Sequence, residues 1–196
     1  VARIVKKHQL LWDPCVDGIS HRLPRTFVKR GSGDPEREFE RLRTLAQGMG
    51  ERDGLWIYPE GTRFTPDKQR RVLARLRDRH PEAAQRAARL TCTLPPRPGG
   101  TLALLDHCPG MDVVFCAHTG LEGANRLENL IRGSLLDQTV KVQFWRVPAA
   151  EIPAGDEERM AWMHEWWERI DRWVVANQSS STVANTDSAG EPATAA

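Results

Sequence analysis

The chain has 196 residues, 28% charged and 40% hydrophobic, enough for one domain with a real core and unlike a low-complexity chain. No run of 18 apolar residues occurs, so no segment reads as a bilayer-spanning helix. The net charge is only +2, but between Phe64 and Leu90 eight basic side chains stand against three acidic ones, a local excess that suits a polyanionic partner.

In chain order, residues 2–6 (Ala-Arg-Ile-Val-Lys) read as a short strand. Leu10 to Pro14 is an apolar knob ending in a turn, and Asp17-Gly18 marks another turn. Residues 26–29 (Thr-Phe-Val-Lys) read as a second strand, closed by Arg30-Gly31-Ser32-Gly33. Asp34 is placed to cap a helix, with Pro35 at its first position and Glu36 in its first turn. Phe39, Leu42, Leu45, Ala46 and Met49 recur at three and four residues, one apolar face. Leu55 to Tyr58 then reads as a short buried strand that Pro59 stops, because proline cannot donate to a sheet ladder. Strand, helix, strand is the crossover that parallel pairing requires.

Past Arg63, Thr65 caps a further helix with Pro66 in its first turn, and Pro81 splits the Arg-rich region into two helices. Their basic faces fit either a solvated surface or contact with a polyanionic partner. Leu94 to Gly100 reads as a stiff proline loop and a hinge, followed by a helix over residues 101–108 with Leu102, Leu104 and Leu105 inward. Asp112 to Ala117 reads as a buried strand, with His118 at its end either lining the cleft or, the preferred reading, a structural histidine. Residues 126–131 suggest a helical turn, and Val140, Val142, Phe144 and Trp145 an alternating strand running to Pro148. Asp156-Glu157-Glu158 opens the last helix, with acids at its positive end. Its stripe of Met160, Met163, Trp167, Ile170 and Val174, widened by Trp162, Trp166 and Trp173, is expected to dock on the domain. An interfacial membrane helix would carry a basic polar face, and this one is acidic. The expected fold is α/β: a single domain over residues 1–177 with a mixed, mostly parallel sheet flanked by helices. The Ser/Thr/Ala-rich residues 178–196 are expected to be disordered.

The chemistry concentrates in Glu60-Gly61-Thr62-Arg63. Ligands of open α/β sheets bind beyond the carboxyl ends of strands, which is where this tetrapeptide falls. Gly61 allows close backbone approach. Thr62 and Arg63 are suited to phosphate oxygens, Arg63 bidentately, and Glu60 is placed to hold or screen Arg63. The bland alternative is a surface turn with one ion pair. Cys15, Cys92, Cys108 and Cys116 have neither CxxC pairing nor zinc-finger spacing to a histidine, so reduced thiols and no metal site are expected.

Tyr58-Pro59-Glu60-Gly61-Thr62-Arg63 resembles the phosphate-binding block of the glycerophospholipid acyltransferases, the lysophosphatidate acyltransferase-like group, with Tyr58 in place of the usual Phe. Lys7, Leu10, Pro14, Gly18, Phe27, Val28 and Arg30 resemble the preceding block, and residues 112–117 fall where a weaker fourth block belongs. The resemblance implies that Arg30, Thr62 and Arg63 face the phosphate of an acceptor lipid. It also implies an acyl-coenzyme A or acyl-carrier-protein donor, a lysophospholipid or glycerol-phosphate acceptor, no cofactor, and a peripheral place on the cytoplasmic face of a membrane. Binding of nucleic acid is not expected, since the Arg-rich helices lack interleaved aromatics.

Acyl transfer to a hydroxyl needs a base, usually a His oriented by an acid, and the family supplies it as His-x4-Asp upstream of the second block. His8 and Asp13 have that spacing but sit inside the block. They are read as a coincidental match, with the catalytic pair expected before Val1 and these residues then unable to turn over alone; were the match real, His8 would be the base and Asp13 would fix its tautomer. A noncatalytic phosphate- or lipid-binding remnant of the fold is the alternative.

Overall fold

The computed structural model describes residues 2–7, 25–28, 35–50, 52–121, 133 and 136–178. The apolar knob at Leu10, the helical turn at 126–131 and the tail beyond Gln178 lie outside them. The fold is mixed α/β, with five α-helices and two small sheets among the described residues.

The first sheet is parallel. Its central strand β1 (Ala2–Lys7) lies between β2 (Arg25–Val28) and β3 (Gly54–Trp56), in the order β2-β1-β3. Ile4 to Lys7 pair with Arg25 to Val28, and Ala2 to Ile4 pair with Gly54 to Trp56. The connection from β2 to β3 runs through helix α1 (Pro35–Ala46), as the strand-helix-strand pattern requires. Arg3 locks this unit. Its guanidinium donates to the carbonyls of Leu45 and Gln47, each at 2.6 Å, and of Gly48 at 3.2 Å. These are carbonyls at the end of α1, where a helix has no partners of its own.

Strand β3 is shorter than the expected Leu55–Tyr58 and is not buried: Trp56 and Tyr58 are exposed and Leu55 only half-buried. Past Trp56 the backbone leaves the sheet for a turn in which the Gly61 amide donates to the Tyr58 carbonyl at 2.9 Å. The Pro59 carbonyl accepts from the Arg97 amide at 3.0 Å. The hydrogen bonds that would have prolonged the strand go to that loop instead, while the Ile57 side chain packs under α1 beside Leu42, Ala46 and Leu104.

Helices α2 (Pro66–Arg79) and α3 (Pro81–Ala87) meet at Pro81 as expected, and Thr65 caps α2 by accepting from the Lys68 amide at 3.3 Å. Helix α4 (Pro98–His107) begins three residues before the expected start. Arg97 is extended and Pro98 occupies the first helical position, where a missing amide hydrogen costs nothing; the expected hinge at Gly99-Gly100 is therefore its first turn. Of its leucines only Leu104 is fully buried.

The second sheet is an antiparallel pair, β4 (Val113–Thr119) and β5 (Lys141–Val147), with Phe115 opposite Trp145 and Cys116 opposite Phe144. It is buried on one face only. Phe115, Ala117 and Thr119 point inward, whereas Val114, His118, Val142 and Phe144 are exposed, so the expected fully buried strand and structural histidine are replaced by a half-buried alternation. The covered face is occupied by α5 (Asp156–Asn177). Met163, Trp167, Ile170 and Val174 join Phe115, Ala117 and Val147 in the larger core, which is the docking expected of this helix. Phe115 stacks on Trp166 at 4.5 Å between centroids, Trp162 and Trp167 meet its edge at 5.3 and 6.3 Å, and the Arg169 guanidinium lies 4.8 Å from the Trp166 centroid. None of the helices is long and apolar enough among the described residues to cross a membrane.

Candidate active site

Parallel pairing sends the carboxyl ends of β1, β2 and β3 to one edge of the sheet. The Glu60–Arg63 segment follows β3 from that edge. Gly61 is buried with φ of +67°, the left-handed conformation that any side chain with a Cβ resists. It is the last residue of the Tyr58–Gly61 turn, and it points the chain toward the cap of α2.

Two anchors hold the segment. The first is Lys68, in the first turn of α2. Its ammonium donates to Thr62 Oγ1 at 3.1 Å and to the Arg63 carbonyl at 3.0 Å, fixing both residues against the helix while the Arg63 side chain remains exposed. The second is Glu60, which turns inward. Its Oε2 accepts from the Leu94 amide and its Oε1 from the Trp167 indole N–H, both at 3.2 Å. Burial pushes the Glu60 carboxyl up to about 7, against those two hydrogen bonds, which lower it, and with the nearby Asp171 charge adding to the rise.

The Leu94 amide belongs to a loop that is itself tied to α5. Asp171, 4% exposed, accepts five hydrogen bonds. Its Oδ1 takes the Cys92 and Thr93 amides and the Thr93 hydroxyl, each at 2.8 Å. Its Oδ2 takes the Thr91 amide and hydroxyl, each at 2.9 Å. A buried carboxylate is tolerated only when so satisfied.

Of the residues singled out in the sequence, Glu60, Gly61, Thr62 and Arg63 share this turn. His8, Asp13 and Arg30 lie outside the described residues, although His8 is bonded directly to the end of β1 and Arg30 follows the end of β2 by two residues. Sequence reasoning sets Glu60 against Arg63 and does not find Leu94 or Trp167 as its partners. It also misses Lys68, Trp167 and Asp171 as supports. One signal for them is Asp171 itself, an acid interrupting the apolar stripe between Ile170 and Val174. The basic surface continues from Arg63 along α2, which buries none of its residues. Some of its charge is locally neutralised, by an Arg70–Asp67 ion pair on α2 and, beyond α3, by Arg89 with Glu168 at 3.6 Å.

An acyltransferase family model matches residues 1–98, half of the 196 residues, and spans the parallel sheet, the Glu60–Arg63 turn and the loop that receives Glu60. The chain belongs to the acyltransferase family. No curated protein and no solved structure matches it. The family assignment makes it a transferase with acyl transfer as its general reaction, which requires an acyl donor and an acceptor. Helix α5, which holds Glu60 and its loop, lies beyond the matched residues.

Proposed function

We propose that this acyltransferase moves a fatty acyl group from acyl-coenzyme A or acyl-carrier protein to the hydroxyl of a lysophospholipid or of glycerol phosphate, in phospholipid synthesis at the cytoplasmic face of a membrane. The observation that carries the reading is the Glu60–Arg63 turn. It presents the exposed Arg63 and the Thr62 hydroxyl at the carboxyl edge of a parallel sheet, held by Lys68 from one side and by Glu60 from the other. The Lys68 ammonium meets the Thr62 hydroxyl and the exposed Arg63 is the next residue in the chain; an ammonium, a hydroxyl and a guanidinium are the chemistry that a phosphate monoester needs. Arg30, two residues past the end of β2 in the sequence, is proposed for the same phosphate by the resemblance alone.

An apolar surface supports the lipid part of the reading. Val114, Val142 and Phe144 are 56%, 49% and 56% exposed on the outer face of the second sheet. Tyr58 and Trp56, on the approach to the Glu60–Arg63 turn, are exposed as well. This apolar surface would meet acyl chains or the bilayer surface.

His8 and Asp13 are not assigned as the base and its orienting acid. A turnover assay on the full-length protein tests the reading, with labelled acyl-coenzyme A as donor and either 1-acylglycerol 3-phosphate or the matching monoacylglycerol as acceptor. Acylation of the phosphorylated acceptor, unchanged by His8→Ala, is expected. Binding of the phosphorylated acceptor without any acyl transfer would identify the noncatalytic remnant instead.

A further inference from the structure

The C-terminal helix reaches the Glu60–Arg63 turn through two side chains of neighbouring helical turns. Trp167 and Asp171 stand four residues apart on α5, so they point from one face. Trp167 donates its indole N–H to Glu60 at 3.2 Å. Asp171 gathers the amides of Thr91, Cys92 and Thr93 at 2.8 to 2.9 Å, and the next amide in line, that of Leu94, donates to the other Glu60 oxygen at 3.2 Å. Both oxygens of one carboxylate are thus held by groups that α5 positions, one directly and one through the loop. The Pro59 carbonyl beside it is closed by the Arg97 amide at 3.0 Å. Thr62 and Arg63 sit two and three residues along the chain from this anchor, separated from it only by the tight turn at Gly61.

We infer that Trp167 and Asp171 are positioning residues for the acceptor-phosphate site: they fix Glu60 and thereby the placement of Thr62 and Arg63. The inference rests on the proposed role of that turn in binding phosphate. Neither residue touches the ligand. Their contribution is pre-organisation, because a turn already held in its binding geometry loses less conformational freedom when the phosphate arrives. Glu60 carries the link in its own ionisation, since its carboxyl titrates near 7 and the Trp167 hydrogen bond favours the charged form.

The test uses sn-glycerol 3-phosphate as probe, the full chain, and two readouts. Calorimetric affinity is measured for the wild type, Arg63→Ala and Trp167→Phe, the last keeping the aromatic packing and removing the indole N–H. The indole resonance of Trp167 is followed in the wild type by heteronuclear NMR. Trp167→Phe is expected to weaken binding roughly tenfold, the equivalent of one buried hydrogen bond, at a temperature where it stays folded. The Trp167 indole signal is expected to titrate with a midpoint near 7 and to shift when the probe is added. The NMR readout stands alone if Trp167→Phe does not fold. An indole signal that ignores the probe, or Trp167→Phe binding as tightly as wild type while Arg63→Ala does not bind, would overturn the positioning role and leave the phosphate site standing. Arg63→Ala binding like the wild type, or no binding by the wild type, would overturn the phosphate site and this inference with it.

Discussion

Replacing Glu60 by glutamine isolates a carboxyl whose ionisation is opposed by its surroundings. Burial raises the Glu60 carboxyl from 4.5 to about 7 in the folded protein. The folded state therefore holds this proton over a range where the unfolded chain has released it, so the group's contribution to stability is full below about 4.5 and is lost as pH rises through about 7. Every tenfold difference in proton affinity between the two states is worth about 1.4 kcal/mol, so the swing is roughly 3 kcal/mol, a ceiling because the residue is only half-buried. The glutamine amide does not titrate. It still offers one carbonyl oxygen to the Leu94 amide or the Trp167 indole, and its nitrogen faces the other donor, a constant cost of about 1–2 kcal/mol. Urea unfolding of both proteins from about pH 4.5 to about pH 8 reads the difference directly. The stability of Glu60→Gln relative to wild type should climb by up to about 3 kcal/mol across that interval. A difference that stays flat, or one that moves in favour of wild type as pH rises, would refute the placement of a buried, destabilised carboxylate at this position.

Asp171→Ala strands five donors among residues 91–93 and should cost roughly 3–5 kcal/mol, visible as a large loss in urea midpoint. Gly61→Ala places a Cβ at φ of +67° and should cost about 1–2 kcal/mol while lowering affinity for a phosphorylated acceptor more than stability alone predicts. Lys68→Met removes the ammonium that holds Thr62 and the Arg63 carbonyl. It should weaken acceptor binding roughly tenfold with a stability change under about 1 kcal/mol, measured by calorimetry and thermal unfolding. Phe115→Ala opens a hole against Trp162, Trp166 and Trp167, should cost about 3–5 kcal/mol, and should collapse the near-ultraviolet circular dichroism of the tryptophan cluster.

The parts of the fold legible in the sequence are those decided locally. Pro35, Pro66 and Pro81 each open a helix where a proline belongs, and Thr65 caps where its hydroxyl reaches an amide three residues on. The tryptophan stripe of α5 buries the side that its spacing indicates. What could not be read was decided by partners far along the chain. Strand β3 stops at Trp56 because the Pro59 carbonyl finds the Arg97 amide, a contact no local pattern encodes. The half-exposed character of β4 follows from its cover: among the described residues, one helix, α5, packs on it, and on one face. The Glu60–Arg63 string is legible as a site from its chemistry, yet its supports are not: Trp167 lies 107 residues from Glu60 and reads in the sequence as one more apolar residue on a stripe.

The most direct measurement of the central claim is the ratio of kcat/KM for a phosphorylated acceptor over its dephosphorylated counterpart, compared between wild type and Arg63→Ala. If the Thr62–Arg63 corner binds the acceptor phosphate, the wild-type ratio is large and Arg63→Ala lowers it roughly a hundredfold, chiefly through the phosphorylated substrate. Equal use of the two acceptors by the wild type, or a ratio untouched by the substitution, would contradict the account.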